Sequence, residues 1–153
     1  MSVLAVNKRA SFDYEILDKY EAGMVLAGYE VKAVRAGNVN LKGSYITFRS
    51  DHAGLPVPYL TNAHISLYKY ASTVKDYDPT RPRKLLLKAK EINYLMGKSR
   101  EQGLTIVPLT IYTKSRFLKL QFGLARGKKK FDKREDLKKK DLDRESRAMM
   151  KRY

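Results

Sequence analysis

Few residues in this chain have the types and spacing that catalysis requires. The sequence holds no cysteine, and its two histidines are His52 and His64, so disulfides, thiolate catalysis and the common zinc-knuckle sites are excluded. His64 lies in TNAHISLY beside apolar positions, which is more typical of a core or surface histidine than of a catalytic one. The stretch DPTRPR places an acid beside guanidinium groups, but it lacks the second carboxylate that paired acid–base chemistry needs.

Sequence motifs for nucleotide and metal chemistry are also missing. The chain has no GxxxxGK(S/T), no GxGxxG and no HExxH, the patterns that mark phosphate-binding loops and zinc hydrolases. Its acidic residues are scattered among lysines and arginines, whereas a metal-dependent nuclease needs them clustered. We therefore predict a protein that is not an enzyme, with no catalytic residue, no metal and no cofactor.

Net charge and aromatic content favour a nucleic-acid partner. The 153 residues include 32 Lys and Arg against 16 Asp and Glu, a formal net charge of +16. The electric field of a protein with this charge attracts polyanions. Nucleic acid is the first candidate partner and an anionic membrane surface is the second. The 11 Tyr and 5 Phe offer surfaces on which bases can stack, although most of these aromatics are expected in the core.

Three other classes of function are compatible with this composition. The chain can be a general RNA chaperone or ribosomal protein, a barrel nuclease, or a peripheral membrane protein. The last is disfavoured because the basic C-terminal segment lacks Trp and a continuous apolar face. The first residues, MSVLAVNKRASFDY, contain an apolar run too short for a secretory signal, and no run approaches about 18 apolar residues. We expect a cytoplasmic protein that is not in a membrane.

Hydrophobic periodicity predicts a mainly β domain. Alternation typical of strands occurs in FDYEIL, SYITFRS and LPVPYL, and in LTIVPLTIYT and FLKLQFGLA, which form a hairpin around KSR. The clearest alternation is that of Leu118, Leu120, Phe122 and Leu124 with Lys119, Gln121 and Gly123. Pro56 and Pro58, two residues apart, predict an edge strand. Short strands without a βαβ rhythm indicate a small antiparallel, barrel-like body.

Two short helices and one loop complete the predicted body. YEVKAVRAG predicts a helix that follows Gly28 and has Gly37 as its C-cap. KAKEINYLMGKSREQG predicts a second helix, with Ile92, Leu95, Met96 and Ser99 on one face, ending at Gly103. KDYDPTRPRK is expected to be a loop, because Pro79 and Pro82 interrupt any strand ladder.

The C-terminal segment differs from the body in its pattern. From Arg126 to Tyr153 it has 13 Lys and Arg and 6 Asp and Glu, or about +7. Charge pairs spaced i,i+4, such as Glu135 with Lys139, are worth only a few tenths of a kcal/mol each, too little to hold an isolated helix. We predict a body over residues 1–125 and a tail over residues 126–153 that is disordered when free and helical on a charged surface.

Several stretches in order resemble one family. They are NKRA (7–10), EAGMVLAGYEVKAVRAGNVN (21–40), SYI, DPTRPRKLLL (78–87) and GKKKFDKR (127–134). They resemble small protein B, the bacterial SsrA-binding protein, which is the partner of transfer-messenger RNA in trans-translation. The resemblance covers nearly the whole chain and implies a closed antiparallel barrel of the oligonucleotide-binding (OB) type with a few short helices.

The resemblance also implies a function. The protein is expected to bind the tRNA-like domain of transfer-messenger RNA and to deliver it to ribosomes stalled with an empty A site. The complex would include alanyl-transfer-messenger RNA and elongation factor Tu, with the protein as a monomer. The tail would enter the vacant mRNA channel against 16S rRNA, which allows ribosome rescue and tagging of the nascent peptide.

By resemblance, two sets of residues have these roles. The RNA-binding set is Asn7, Lys8, Arg9, Glu21, Arg83, Lys84, Leu86, Lys88, Lys128 and Lys129. The ribosome-contacting set in the tail is Phe131, Asp132, Lys133, Arg134, Leu137, Lys138, Lys140 and Leu142.

One RNA-binding residue and three departures from the family pattern bear on these roles. Glu21 is unusual on a phosphate-binding surface and is expected to accept hydrogen bonds from base amino groups or 2′-hydroxyls; a surface salt bridge is the alternative. Lys88 stands where many members have Asn, Phe131 where many have His, and Leu142 where many have Trp.

Overall fold

The chain folds into an antiparallel β body with a few helices. The computed structural model describes residues 1–71, 73–101, 103–129, 133–142 and 144. In chain order the elements are β1 (Ser2–Val6), α1 (Ala10–Asp13), β2 (Tyr14–Met24), α2 (Gly28–Arg35), β3 (Val39–Asn40), β4 (Tyr45–Ser50), β5 (Pro56–Thr61), β6 (His64–Ile65), β7 (Arg83–Leu86), α3 (Ala89–Ser99), β8 (Leu104–Lys114) and β9 (Phe117–Gly127).

Seven strands form the main sheet. Its order is β1-β8-β9-β2-β7-β5-β4, with every neighbouring pair antiparallel, and β3 pairs separately with β6. The prediction of a mainly β, antiparallel body with few helices is confirmed. The predicted closure into a barrel is not, because the hydrogen-bonded ladder of the described residues runs from β1 to β4 without returning to its start.

The β8–β9 hairpin provides the centre of the core. β9 pairs along its length with β8 on one side and β2 on the other, so its inward residues are covered by neighbours. Leu118, Leu120, Phe122 and Leu124 are all buried, which confirms the predicted alternation. Each such side chain contributes about 1.5–3 kcal/mol through burial, so this strand fixes which face of the hairpin points inward.

Helix α2 ends where the sequence predicted. Gly37 has φ +81°, a left-handed conformation that glycine adopts without a Cβ penalty. Its N–H donates to the Val34 carbonyl, and the N–H of Asn38 donates to the Ala33 carbonyl, both at 2.9 Å. These two bonds satisfy carbonyls that the end of the helix would otherwise leave unpaired.

A buried ionic cluster ties α2 to β7. Glu30 and Arg83 are both fully buried, with Arg83 Nη2 2.7 Å from Glu30 Oε2. Arg81 also pairs with Glu30, and the Tyr77 hydroxyl donates to Glu30 Oε2 at 3.2 Å. The stretch DPTRPR therefore contributes Arg83 to the interior, while the partly exposed Arg81 reaches the same carboxylate from the loop.

Two local predictions are wrong in part. Phe12 and Asp13 belong to α1, so the strand predicted from Phe12 begins at Tyr14. Strand β5 lies inside the sheet, between β7 and β4, so it is not the edge strand that Pro56 and Pro58 suggested. It pairs with β7 only at Tyr59 and Leu60, and the proline half of the strand pairs only with β4. The missing N–H groups are tolerated because that half is locally an edge.

The structure also extends two predicted boundaries. Strand β7 starts at Arg83, inside the stretch predicted as a loop, and β9 continues to Gly127, beyond the predicted end of the body at residue 125. Residues 133–142 are helical. Phe131 and Asp132 lie outside the described residues. Disorder of the free tail stays a prediction.

Candidate nucleic-acid interface

Four of the predicted RNA-binding residues line one groove. It has a volume of about 520 Å³ and is lined by Glu21, Lys84, Leu86 and Lys88, together with Lys119; we call it the β2–β7 groove. The strand register explains the convergence, since Gly23 of β2 lies opposite Leu86 of β7 on one side and Lys119 of β9 on the other. Residues distant in sequence thus share one surface.

Strand alternation divides the β7 residues between this groove and the core. Lys84 and Leu86 are exposed, whereas Arg83 and Leu85 are buried, because successive side chains in a strand point to opposite faces. Arg83 is 0% exposed and is held by Glu30 and by the Ala63 carbonyl, which accepts from Nη1 at 2.6 Å. The prediction that Arg83 contacts RNA is therefore corrected: it stabilises the interior.

Glu21 is held as a carboxylate at the edge of the groove. The Tyr112 hydroxyl donates to Glu21 Oε2, and Lys114 Nζ lies 3.3 Å from Oε1. The hydrogen bond from Tyr112, followed by the interaction with Lys114, holds the pKa of Glu21 below its ordinary value even though partial burial opposes this. Burial and the bond to Glu21 raise the pKa of Tyr112 to about 12.

Both interpretations of Glu21 have a structural basis. The salt bridge to Lys114 is present, as the alternative expected. A carboxylate has about four acceptor positions, and the described contacts of Glu21 with Tyr112 and Lys114 use two of them. Its side chain is 38% exposed, so acceptor capacity remains for a ligand in the groove.

Asn7, Lys8 and Arg9 lie at a different place. They form the turn between β1 and α1, and Asn7 anchors it: its Nδ2 donates to the Pro108 carbonyl at 2.9 Å, and its N–H donates to the Leu109 carbonyl at 2.8 Å. This is where the β8–β9 ladder changes register. The Asn7 side chain therefore has a structural role in the described structure.

Lys128 and Lys129 follow β9 beside the same turn. Lys128 Nζ donates to the Ser11 carbonyl at 2.9 Å, and its N–H donates to the Asp13 carbonyl at 2.9 Å. Lys128 also pairs with Asp136. This second basic region is at the Tyr14 end of β2, roughly 20–25 Å from Glu21 at about 3.3 Å per strand residue. The predicted RNA-binding residues thus form two groups rather than one.

The described tail residues extend from this second region. Lys133 Nζ lies 3.3 Å from Asp13 Oδ1, and Lys138 Nζ lies 3.7 Å from Glu135 Oε1. Leu137 and Leu142 are exposed, and so are Lys138 and Lys140, while Arg134 is also on the surface. Phe131 and Asp132 lie outside the described residues, so their contacts with the ribosome stay predictions.

Sequence reasoning missed Lys119, Tyr112 and Lys114 as members of this surface. The signal for Lys119 was present, because it alternates with the inward Leu118 and Leu120. Which outward residue of β9 lies beside Glu21 depends on the β2–β9 register, and a single strand's periodicity does not contain that information.

Metal-binding clusters and membrane-spanning helices would point to other functions. Within residues 1–71, 73–101, 103–129, 133–142 and 144, no three His, Cys, Asp or Glu side chains are grouped as metal ligands would be. No helix in those ranges has the length and apolar composition that crossing a membrane requires.

Comparison with known proteins agrees with the resemblance. Residues 4–152 match the family model described as SmpB protein. The SsrA-binding protein of a Nitratiruptor species is 53% identical over 154 residues, covering 100% of this chain and 99% of the relative. That of Cupriavidus necator is 50% identical over 149 residues, covering 97% and 95%.

A solved structure has the same fold. It belongs to the work "tmRNA-SmpB: a journey to the center of the bacterial ribosome", and the matching chain is 46% identical with a TM-score of 0.67. The match covers 85% of this chain and 87% of that chain. Because the family model spans nearly all residues and relatives near 50% identity cover the full length, the chain belongs to the SmpB protein family.

Proposed function

We propose that this protein binds the tRNA-like domain of transfer-messenger RNA and delivers it to ribosomes stalled with an empty A site, enabling rescue and tagging of the nascent peptide. The observation that carries the proposal is the β2–β7 groove, where residues assigned to RNA contact by family resemblance meet on one surface. The relatives named SsrA-binding protein support it, as does the structural neighbour from a study of tmRNA, SmpB and the ribosome.

Within the groove, cationic and acidic side chains have different tasks. Lys84 and Lys88 are exposed and, with Lys119, supply positive charge for phosphates. Lys88, where many relatives have Asn, provides a phosphate contact instead of a directed amide contact. Glu21, kept ionised by Tyr112 and Lys114, accepts hydrogen bonds from base amino groups or 2′-hydroxyls. Recognition is by binding, without a chemical step.

We propose that the body is a closed barrel of the OB type. Strands β4 and β8 come close at the open side of the sheet, and a cavity of about 470 Å³ lies between β4, α3 and β8. Met96 of α3 lines it together with Ile46 and Ile106. Contact of these apolar residues across the gap would complete the barrel through side chains rather than through a ladder of hydrogen bonds.

The tail is proposed to act on the ribosome rather than in the RNA-binding groove. Its described cations, Lys138 and Lys140 among them, are exposed, and their charge favours the rRNA phosphates of a vacant mRNA channel. An mRNA already in the channel would exclude the tail. The same resemblance supports 16S rRNA as the tail's contact, and alanyl-transfer-messenger RNA with elongation factor Tu as the rest of the complex in the cytoplasm.

The groove is tested by replacing Glu21 with Ala and measuring binding of transfer-messenger RNA by gel shift with excess tRNA as competitor. Glu15→Ala is the matched control, since Glu15 is exposed on the same strand and its loss raises the net charge equally. Simple electrostatics predicts slightly tighter binding for both. We expect weaker specific binding only for Glu21→Ala. Unchanged binding would exclude a base-reading role, and full competition by tRNA would indicate a general RNA-binding protein.

The tail is tested by replacing Asp132, Lys133 and Arg134 together with Ala. Gel shift on purified RNA should change little, and peptide tagging in a reconstituted stalled system should be lost. Leu142→Trp should preserve or improve tagging, because an indole restores a stacking surface worth about 1–3 kcal/mol. Parallel loss of RNA binding and tagging in the triple variant would make the tail part of the RNA-binding surface.

A further inference from the structure

We infer that a cleft beside the β2–β7 groove takes one unstacked base of the bound RNA; this inference rests on the proposed function. The cleft lies at the tip of the β8–β9 hairpin, between the end of β2 and α2, and has a volume of about 380 Å³. That volume falls in the range of roughly 300–1,000 Å³ typical of small-molecule sites. A single planar base fits such a space.

The floor of the cleft is apolar and open to solvent. Phe117 is 66% exposed and Leu86 is 55% exposed, and the half-buried Met24 contributes to the same lining. Phe117 faces outward because its neighbour Leu118 occupies the inward position of β9. An aromatic ring that adds little to the core, on a chain with a net charge of +16, is available as a platform for stacking.

The rim of the cleft is cationic. Arg35, Arg116 and Lys119 contribute to the lining, and none of the described residues lining the cleft is acidic. Arg35 Nη2 donates to the Arg116 carbonyl at 2.8 Å, which fixes the hairpin tip against α2. Lys119 Nζ lies over one face of the Phe117 ring, 5.9 Å from its centre, so the base stacks on the opposite face of this exposed ring. The charges therefore lie close to the ring, within reach of the phosphates of a stacked nucleotide.

Continuity with the β2–β7 groove selects RNA as the occupant. Gly23, Leu86 and Lys119 line both the groove and the cleft, so an RNA strand bound in the groove passes directly beside the cleft. Apolar surface with a basic rim also suits an anionic lipid surface. A single base can enter a concave cleft that adjoins an RNA-binding groove and can stack on its aromatic ring, whereas the flat surface of a bilayer matches neither feature.

A tryptophan at position 117 reports on the cleft directly. The chain contains no Trp and 11 Tyr, so Phe117→Trp gives a single tryptophan, which is excited selectively over the tyrosines and keeps the stacking face. We expect its emission to be quenched by transfer-messenger RNA and by a short single-stranded RNA, and to respond far less to a ribose-phosphate strand of equal length without bases. Leu55→Trp, at another exposed apolar position, is the control and should respond weakly to all three.

Each result decides between explanations. Binding of transfer-messenger RNA with no change in the emission of the Phe117→Trp variant overturns the base site and leaves the proposed function intact. Equal responses to RNA and to the strand without bases reduce the cleft to a polyanion contact. Phosphatidylglycerol vesicles serve as a fourth probe, and a response only to them makes the cleft a lipid contact. Failure of the wild-type chain to bind transfer-messenger RNA overturns the proposed function and, with it, the base site.

Affinity provides a second, independent readout. Phe117→Ala should weaken binding of transfer-messenger RNA roughly 5- to 150-fold, the range expected for one base–aromatic stack. Phe117→Leu should lose most of the same affinity, because it keeps apolar area but has no aromatic face, and Phe117→Trp should retain it. Leu55→Ala is the matched control. Wild-type affinity in Phe117→Ala, with circular dichroism unchanged, would overturn the inference.

Discussion

Glu30→Gln is expected to destabilise the fold by roughly 3–5 kcal/mol, the cost of removing one partner of a buried ion pair. Glu30 is fully buried and its carboxylate accepts from Arg81, from Arg83 and from the Ala27 N–H. A glutamine at this position leaves the fully buried Arg83 without a counter-charge and places an amide N–H₂ against guanidinium donors. For a chain of this size the melting temperature should fall by about 6–20 °C.

Glu91→Gln is the matched control. Glu91 occupies the same third helical position in α3 that Glu30 occupies in α2, and each accepts from the backbone N–H of the residue that precedes its helix, at 3.4 Å and 3.0 Å respectively. The two differ in burial, since Glu91 is only partly buried. Its substitution should cost about 1 kcal/mol or less. Urea denaturation followed by circular dichroism measures both.

A double variant separates unpaired charge from lost packing. If the cost of Glu30→Gln comes from leaving Arg83 uncompensated, adding Arg83→Met should make the double variant less destabilised than the sum of the two single variants. Additive costs, or a cost for Glu30→Gln no greater than that for Glu91→Gln, would refute the reasoning about the buried pair.

The pH dependence of this effect has a definite sign. Burial alone raises the pKa of Glu30, but hydrogen bonds from Arg81, from the Ala27 N–H and from Arg83 outweigh it, so the pKa lies below its ordinary value of 4.5. A group whose folded pKa is lowered stabilises the fold above its unfolded pKa, and this contribution is lost as the pH falls through the folded pKa. The stability difference between wild type and Glu30→Gln should therefore shrink below about pH 4.5.

Three further predictions follow from particular contacts. A chain ending at Lys129 should keep its cooperative unfolding and its affinity for transfer-messenger RNA, because β9 ends at residue 127; loss of either would make the tail part of the body. Gly123→Ala should destabilise the fold by about 1–3 kcal/mol, since the added Cβ would lie 2.8 Å from a β2 side chain. Gly97→Ala in α3 should stabilise it by about 0.5–1 kcal/mol, because a Cβ there meets nothing within 4 Å. Urea denaturation measures both, and equal effects would contradict the argument that the space around each glycine decides the outcome. Glu21→Gln should lower the pKa of Tyr112 from about 12 toward its ordinary value of 10.0, as ultraviolet titration of tyrosinate would show; an unchanged pKa would assign the shift to burial alone.

Local pattern in the sequence determined much of this protein. The alternation of Leu118, Leu120, Phe122 and Leu124 requires a strand with one buried face, because only a period of two places all four on the same side. Gly37 marks the end of α2 because a left-handed residue is needed there. Ordered motifs along the chain, from NKRA to GKKKFDKR, were sufficient to identify the family. These features depend on neighbours within a few residues or on the order of short motifs, so the sequence contains them in full.

Only the tertiary structure decided which residues meet. Arg83 and Lys84 are adjacent in sequence and both basic, yet the first is buried against Glu30 and the second is exposed in the groove. Pairing between distant strands sets that difference: β7 inserts between β2 and β5, and the register brings Lys119 to Gly23. Strand pairing depends on backbone hydrogen bonds, which are the same for every residue type except proline. Periodicity within one segment therefore predicts that a strand has a buried and an exposed face. The assembled sheet determines which residues of other strands lie beside the residues on each face.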